Sequence, residues 1–373
     1  MSDQPRGSSA WRATWQAFPV KTAHTPLNAL LLAVPAAFVV HYAFGGPPLV
    51  TFLVAALGII PLAGVLGEAT EDLAEHLGPQ LGGLLNATMG NATELIIGFF
   101  ALRSGEREIV KASLSGSILG NILLVLGMAV LVGGIGREKQ TFSKQTASVN
   151  ATMLFIAVVA LVMPAVFDLA VYGRLSERGA TVQHLSLWTS VILIVIYGLS
   201  LVFTFVTHRA VPAREATQVP VRSTRSATTA LVLATVLIAF LSEMLVGELQ
   251  AAKQAFGISD VFMGVVVIAT IGNAAEHATA VLMAMRNQME LALTVAVGSS
   301  VQIALFVAPV LVFASFATGE PMTLVFSPLE ITGIALAVLI VTMISADGET
   351  TWLEGAQLIA VYLLLAVALY FVP

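Results

Sequence analysis

Two acidic residues stand out in a chain that has few. Glu94 and Glu276 each lie inside a long apolar stretch, in the closely similar pentads Gly90-Asn91-Ala92-Thr93-Glu94 and Gly272-Asn273-Ala274-Ala275-Glu276. A carboxylate at bilayer depth costs roughly 2.5–3.5 kcal/mol even on lenient insertion scales, so it persists there only facing water, a partner or an ion. The neighbours suit an ion. Asn91 and Asn273 offer amide oxygens three positions before each glutamate, on the same helix face. Gly90 and Gly272 permit a backbone break that frees carbonyl oxygens. Thr88, Thr270, Ser117 and Ser299 add hydroxyls. All are hard oxygen donors, the set that Ca²⁺ takes in groups of about six to eight. Mg²⁺ demands tighter octahedral geometry, and transition metals favour imidazole or thiolate, for which only His277 is at hand. Two carboxylates neutralise one divalent charge, and the same pair can instead take protons. Competition between the two is the least that a cation/proton exchanger needs. Ca²⁺ and H⁺ are then transported substrates; no cofactor and no enzymatic chemistry are called for.

The elements that carry these residues must be membrane helices. Of 373 residues, 57% are hydrophobic and only 10% charged, with mean hydropathy +0.91; a soluble domain carries about 25% charge. Backbone in hydrocarbon survives only as helices or a closed barrel, and the apolar runs here have helical rather than ten-residue strand length. The reading is an all-α polytopic membrane protein with about eleven transmembrane helices, near 27–43, 48–77, 81–103, 108–133, 145–165, 183–206, 227–250, 258–285, 290–315, 323–345 and 352–372. The first run lacks a small-x-small cleavage site and reads as a retained span. A net charge of −5 without a basic face excludes nucleic acid, and the absence of cysteine excludes disulfides and thiolate sites.

The two pentads sit at an offset of 182, which also aligns Thr88 with Thr270, Glu108 with Glu290, Gly116 with Gly298 and Ser117 with Ser299. The chain therefore reads as a cytoplasmic tail (1–26), an extra first helix (27–47), a five-helix repeat (48–206), a linker (207–226) and a second five-helix repeat (227–373). Five spans is an odd number, so the copies are inverted, and inverted repeats mark secondary transporters with the site at the repeat interface. Counting Lys and Arg in the joints gives eleven inside against six outside for a cytoplasmic N-terminus.

Asn86-Ala87-Thr88-Met89-Gly90-Asn91-Ala92-Thr93-Glu94-Leu95-Ile96 and Gly272-Asn273-Ala274-Ala275-Glu276-His277 resemble the two α-repeats of cation/Ca²⁺ exchangers, in particular the Ca²⁺/H⁺ antiporter family. Ser115-Gly116-Ser117-Ile118-Leu119-Gly120-Asn121 and Gly298-Ser299-Ser300-Val301-Gln302-Ile303-Ala304 resemble the segments that follow each repeat. The resemblance implies an eleven-helix antiporter in which Glu94 and Glu276 are the central Ca²⁺/H⁺ carboxylates. Asn91, Asn273, His277, Asn121 and Gln302 are then polar liners. The short N-terminus and the basic linker point to a bacterial cytoplasmic membrane, the Lys and Arg count puts the N-terminus inside, and a homo-oligomer is left open. Family members carry an acidic helix in the central linker, whereas here Thr207–Thr228 holds four arginines and a single acid, Glu215. A Na⁺-driven exchanger of the same fold and a cation channel are the alternatives.

Other acids carry weaker signals. Glu68, Glu71, Asp72 and Glu75 cluster at the polar end of the second span, where Glu71 is the choice for an access-path role because family members carry an acid nearby. Glu243 lies mid-span, with Pro61 as its aligned partner, and reads equally as an access-path carboxylate or a packed one. Ser327-Pro328-Leu329-Glu330 reads as a capping box. Ser115-Gly116-Ser117 lacks the His–Asp support of a nucleophile, and no His-Glu-x-x-His protease helix occurs.

Overall fold

The computed structural model describes residues 27–43, 45–173, 175, 179–207, 222–319 and 321–372. The polar tail expected over 1–26 and most of the linker fall outside these residues. Helices dominate. After a turn at Leu27–Leu30 come α1 (Ala33–Ala43), α2 (Pro48–Met89), α3 (Ala92–Arg103), α4 (Arg107–Gly134), α5 (Lys144–Tyr172) and α6 (Ala180–Val206). They are followed by α7 (Thr224–Gly247), α8 (Leu249–Phe256), α9 (Asp260–Gly272), α10 (Ala274–Met285), α11 (Met289–Ala317), α12 (Pro328–Ile344) and α13 (Trp352–Tyr370). Two short strands, Gln140–Thr141 and Glu349–Thr350, pair antiparallel.

Seven helical stretches among the described residues are long and apolar enough to cross a membrane, or eight if the bent pair α8–α9 counts as one. Of the eleven expected spans, the first and tenth are shorter than expected. The third and eighth are broken within the pentads, at Gly90-Asn91 and at Asn273. Glycine and asparagine are poor helix formers, and here they interrupt the hydrogen-bond ladder rather than merely allowing it to bend. The second span ends at Gly78 (φ 78°), close to the expected residue 77, and beyond that kink a further helical stretch runs to Met89.

Segment 321–327 is non-helical and largely buried. Backbone at membrane depth that forms no helix must be satisfied by protein. Met322 N–H donates to Ser315 Oγ (2.8 Å), Leu324 N–H to Ser186 Oγ (3.0 Å) and Ser327 N–H to Glu330 Oε2 (2.9 Å), while the Val325 carbonyl accepts from Lys111 Nζ (3.1 Å).

The chain forms two compact units, residues 1–93 with 200–248 and residues 94–199 with 249–373, so each draws on both sequence halves. In the first, Gly58 of α2 lets Leu241 of α7 and Val34 of α1 approach its backbone. In the second, Gly116 of α4 lies against the backbone of Val265 in α9, and Gly264 against Ile109 and Ala112; a Cβ at either glycine would fall about 2.4 Å from its neighbour. Phe155, Ile156 and Met163 of α5, with Trp188 and Ile192 of α6, are exposed. Such apolar surface suits lipid rather than water.

The 182-residue offset reappears in the backbone of the second unit. It superposes the first residues of α3 and α10, of α4 and α11, and of the regular helices that resume at Leu126 and Ala308. Between the last two pairs lie π-helical turns, Gly120–Val125 and Ile303–Val307. Turns of this kind recur at functional sites.

Candidate functional site

Breaks just before α3 and α10 place Glu94 and Glu276 as the third residue of each helix. That position favours an anionic side chain, because the first-turn N–H groups leave a partial positive charge. Gly272 makes room for the other glutamate. A Cβ there would meet Glu94 Cγ at 3.3 Å and Cδ at 3.7 Å. The two carboxyl groups interact electrostatically. Like charges at low dielectric are unfavourable unless a cation or protons offset them.

Around the pair runs a hydrogen-bonded network assembled from both motifs. Ser299 Oγ donates to Glu276 Oε2 at 2.6 Å. Asn121 Nδ2 donates to Ser299 Oγ at 3.1 Å and to Asn273 Oδ1 at 3.3 Å. Asn273 Nδ2 donates to Ser117 Oγ and to the Ala269 carbonyl, both at 2.8 Å. Glu94 Oε2 and Asn121 Oδ1 are buried acceptors with no hydrogen-bond donor. An unmet buried oxygen is costly, and two in one cluster fit a cation whose ligands are oxygens. Among the described residues no three of His, Asp and Glu converge, so further ligands must be amide, hydroxyl, backbone or water oxygens.

The network therefore gathers Glu276, Asn273, Asn121, Ser117 and Ser299 in one unit, and Glu94 lies beside it against Gly272. Asn273 is a hub, with both N–H groups committed. Asn91 and Gly90 belong to the first unit, where Asn91 is fully buried. Thr88 and Thr270 spend their hydroxyls on the carbonyls of Leu84 (2.8 Å) and Val266 (2.5 Å), and Thr270 also bonds Tyr362. His277 and Gln302 are half-buried, the latter immediately before a π turn.

Glu71 and Glu243 lie on exposed positions of α2 and α7. The acid of that α2 cluster which is fully buried is Asp72. Arg222, itself buried, reaches Asp72 Oδ2 at 3.4 Å and Glu68 Oε2 at 3.3 Å. Glu68 and Asp72 share a helix face by spacing, but nothing in the sequence pairs them with an arginine at the end of the linker. Ser115, dismissed as a nucleophile, donates to buried Glu330 at 2.5 Å.

The model of the family described as "Sodium/calcium exchanger protein" matches residues 47–206 and 226–371. The chain belongs to this family. Within it, the Ca²⁺/H⁺ antiporter of Aphanothece halophytica is 43% identical over 361 residues, covering 92% of this chain and 96% of the relative. The Ca²⁺/H⁺ antiporter ChaA of Bacillus subtilis is 44% identical, covering 87% and 93%. The solved structure of native YfkE superposes with a TM-score of 0.81 at 40% identity, over 93% of this chain and all of that one. An H⁺/Ca²⁺ exchanger, CAX, shares the fold at TM-score 0.70 and 12% identity. The expected resemblance to the Ca²⁺/H⁺ antiporters and the all-α transporter fold are thus found. The chain is an integral membrane exchanger-family protein.

Proposed function

We propose that this protein exchanges Ca²⁺ for H⁺ across a membrane by alternating access, with Glu94 and Glu276 binding one Ca²⁺ or protons in turn. The single observation that carries the reading is the half-buried glutamate pair itself. It consists of two carboxyl groups in electrostatic contact, one of them hydrogen-bonded into a network of neutral amides and hydroxyls, with two buried oxygens, Glu94 Oε2 and Asn121 Oδ1, that lack donors. Occupancy by Ca²⁺ or by protons offsets the pair's charge and allows the site to change access. A bare dianion is held back by its desolvation cost, which suppresses leak.

Relatives about 43% identical that are Ca²⁺/H⁺ antiporters support the choice of ions. In this reading, residues 48–206 and 227–373 form inverted repeats, and the N-terminus faces the cytoplasm of a bacterial cell whose Ca²⁺ is exported. Asn121, Ser117 and Ser299 line the site with Asn273.

Ca²⁺ uptake into inside-out vesicles tests this directly. A pH gradient should drive uptake by the wild type, and Glu94→Gln and Glu276→Gln should each abolish it. Full pH-driven uptake in either variant rejects the site. Uptake driven by a Na⁺ gradient alone replaces the proton by Na⁺ as counter-ion, and current without a counter-ion indicates a channel.

A further inference from the structure

The second unit holds a further carboxylate, a buried one, which the cation-site reading does not use. Glu330 is 4% exposed, and the position 182 residues earlier is Ser148, so it has no acidic twin. Its Oε2 accepts from Ser327 N–H and closes the capping box of α12. Capping explains that oxygen. It does not explain Oε1, which accepts from Ser115 of α4 at 2.5 Å.

One turn earlier on α4, Lys111 Nζ donates to the Val325 carbonyl at 3.1 Å. Lys111 and Ser115 are four residues apart, so one face of α4 grips the segment from Val325 to Glu330 by two polar contacts. Ser117 and Asn121 are also four apart, and they lie about 200° further round the same helix. That opposite face makes the hydrogen bonds to Asn273 and Ser299.

We propose that Glu330 is a positioning residue for the cation site, acting through Ser115 to fix the rotation of α4 about its axis. The leverage is large. Turning α4 by about 20° moves an atom roughly 5 Å from its axis by nearly 2 Å, enough to break hydrogen bonds of 2.8–3.3 Å. The glycine contacts at Gly116 and Gly264 fix how closely α4 approaches α9, and the Ser115–Glu330 bond adds a polar anchor on another face of α4.

This inference rests on the exchange reading above, and vesicle transport at graded Ca²⁺ combined with thermal unfolding tests it. Ser115→Ala keeps the cap and removes the tether; Glu330→Gln keeps the cap with its one acceptor oxygen and turns its NH2 to Ser115, whose hydroxyl can accept while donating to the Ala112 carbonyl; Glu330→Ala removes both. Ser115→Ala should raise half-saturating Ca²⁺ by about fivefold, the loss of one ordinary hydrogen bond, with the maximal rate retained. Glu330→Ala should show the same shift plus a lower melting temperature. The double variant should be no worse than Glu330→Ala, and Glu330→Gln should resemble wild type. An unchanged half-saturation in Ser115→Ala, or additive shifts in the double variant, overturns the tether. If that occurs while Glu94→Gln is inactive, only the tether fails. If Glu94→Gln still exchanges, the site reading fails with it.

Discussion

Asn287 repeats, 182 residues along the chain, the left-handed backbone turn of Gly105: φ is 62° at the asparagine and 81° at the glycine. Among the described residues Asn287 is the one non-glycine with positive φ. Each turn separates the helix that carries a central glutamate from the helix that carries Ser117 or Ser299. The loop conformation has outlasted the residue type, because asparagine is the L-residue that tolerates this region best.

Backbone strain at these turns should be measurable. Gly105→Ala and Asn287→Ala should each destabilise the protein, by about 1–2 kcal/mol at Gly105 and less at Asn287, whereas Asn287→Gly should be neutral or slightly stabilising. Thermal unfolding in detergent checks this; equal tolerance of alanine and glycine at both positions would contradict the assigned conformation.

The duplication made the central residues legible. Glu94, Glu276, Asn273, Ser117 and Ser299 all appear in matched positions; the structure draws the last four into one hydrogen-bonded network and sets Glu94 against Gly272 beside it. Thr88 and Thr270 matched equally well, yet their hydroxyls bond carbonyls four residues back, a local option open to any helical threonine. The Arg222 pairing was illegible because Glu68 and Asp72 are about 150 residues away from it. The non-helical stretch Thr323–Phe326 falls within the expected tenth span, since a short apolar run has no period to mark where a helix begins. Its partners Ser186 and Lys111 lie on two other helices.

The two serines of the network are not equivalent. Ser299 donates to Glu276, whereas Ser117 accepts from Asn273. Hydrogen bonds to charged groups contribute about 1.5–3 kcal/mol, so Ser299→Ala should weaken apparent Ca²⁺ affinity about tenfold or more and Ser299→Thr far less. Ser117→Ala should have the smaller effect of the two alanines. Ca²⁺ titrations of transport decide it, and a silent Ser299→Ala would remove the hydroxyl from the site.

Glycines 116 and 298 are equivalent in sequence but not in surroundings. A Cβ at 116 meets the Val265 backbone, while at 298 nothing lies within 4 Å. Gly116→Ala should therefore cost about 1–3 kcal/mol through overpacking. Gly298→Ala should be neutral or stabilise by up to about 1 kcal/mol through helix propensity. Paired melting curves test the contrast; similar behaviour of the two variants would count against the close α4–α9 approach.

In the first unit, removing Arg222 leaves Asp72 buried without its guanidinium. Arg222→Ala should cost about 3–5 kcal/mol, and Arg222→Met combined with Asp72→Asn should recover much of it. A double variant as unstable as Arg222→Ala would show that packing, rather than the buried charge, sets the loss.

The non-helical run ahead of α12 also changes how far that part of the chain can reach. Seventeen helical residues, Pro328–Ile344, give a rod of about 25 Å at 1.5 Å per residue, short of the roughly 30 Å of hydrocarbon in a bilayer. The non-helical Met322–Phe326 can add up to about 16 Å, at no more than about 3.3 Å per residue. The combined contour, up to about 41 Å, is then that of a helix about ten residues longer. Contour length, not helix length, is therefore the measure of whether this segment can bridge the two aqueous phases. The five residues that gain the distance do so by giving up their own hydrogen-bond ladder for donors and acceptors lent by neighbouring helices.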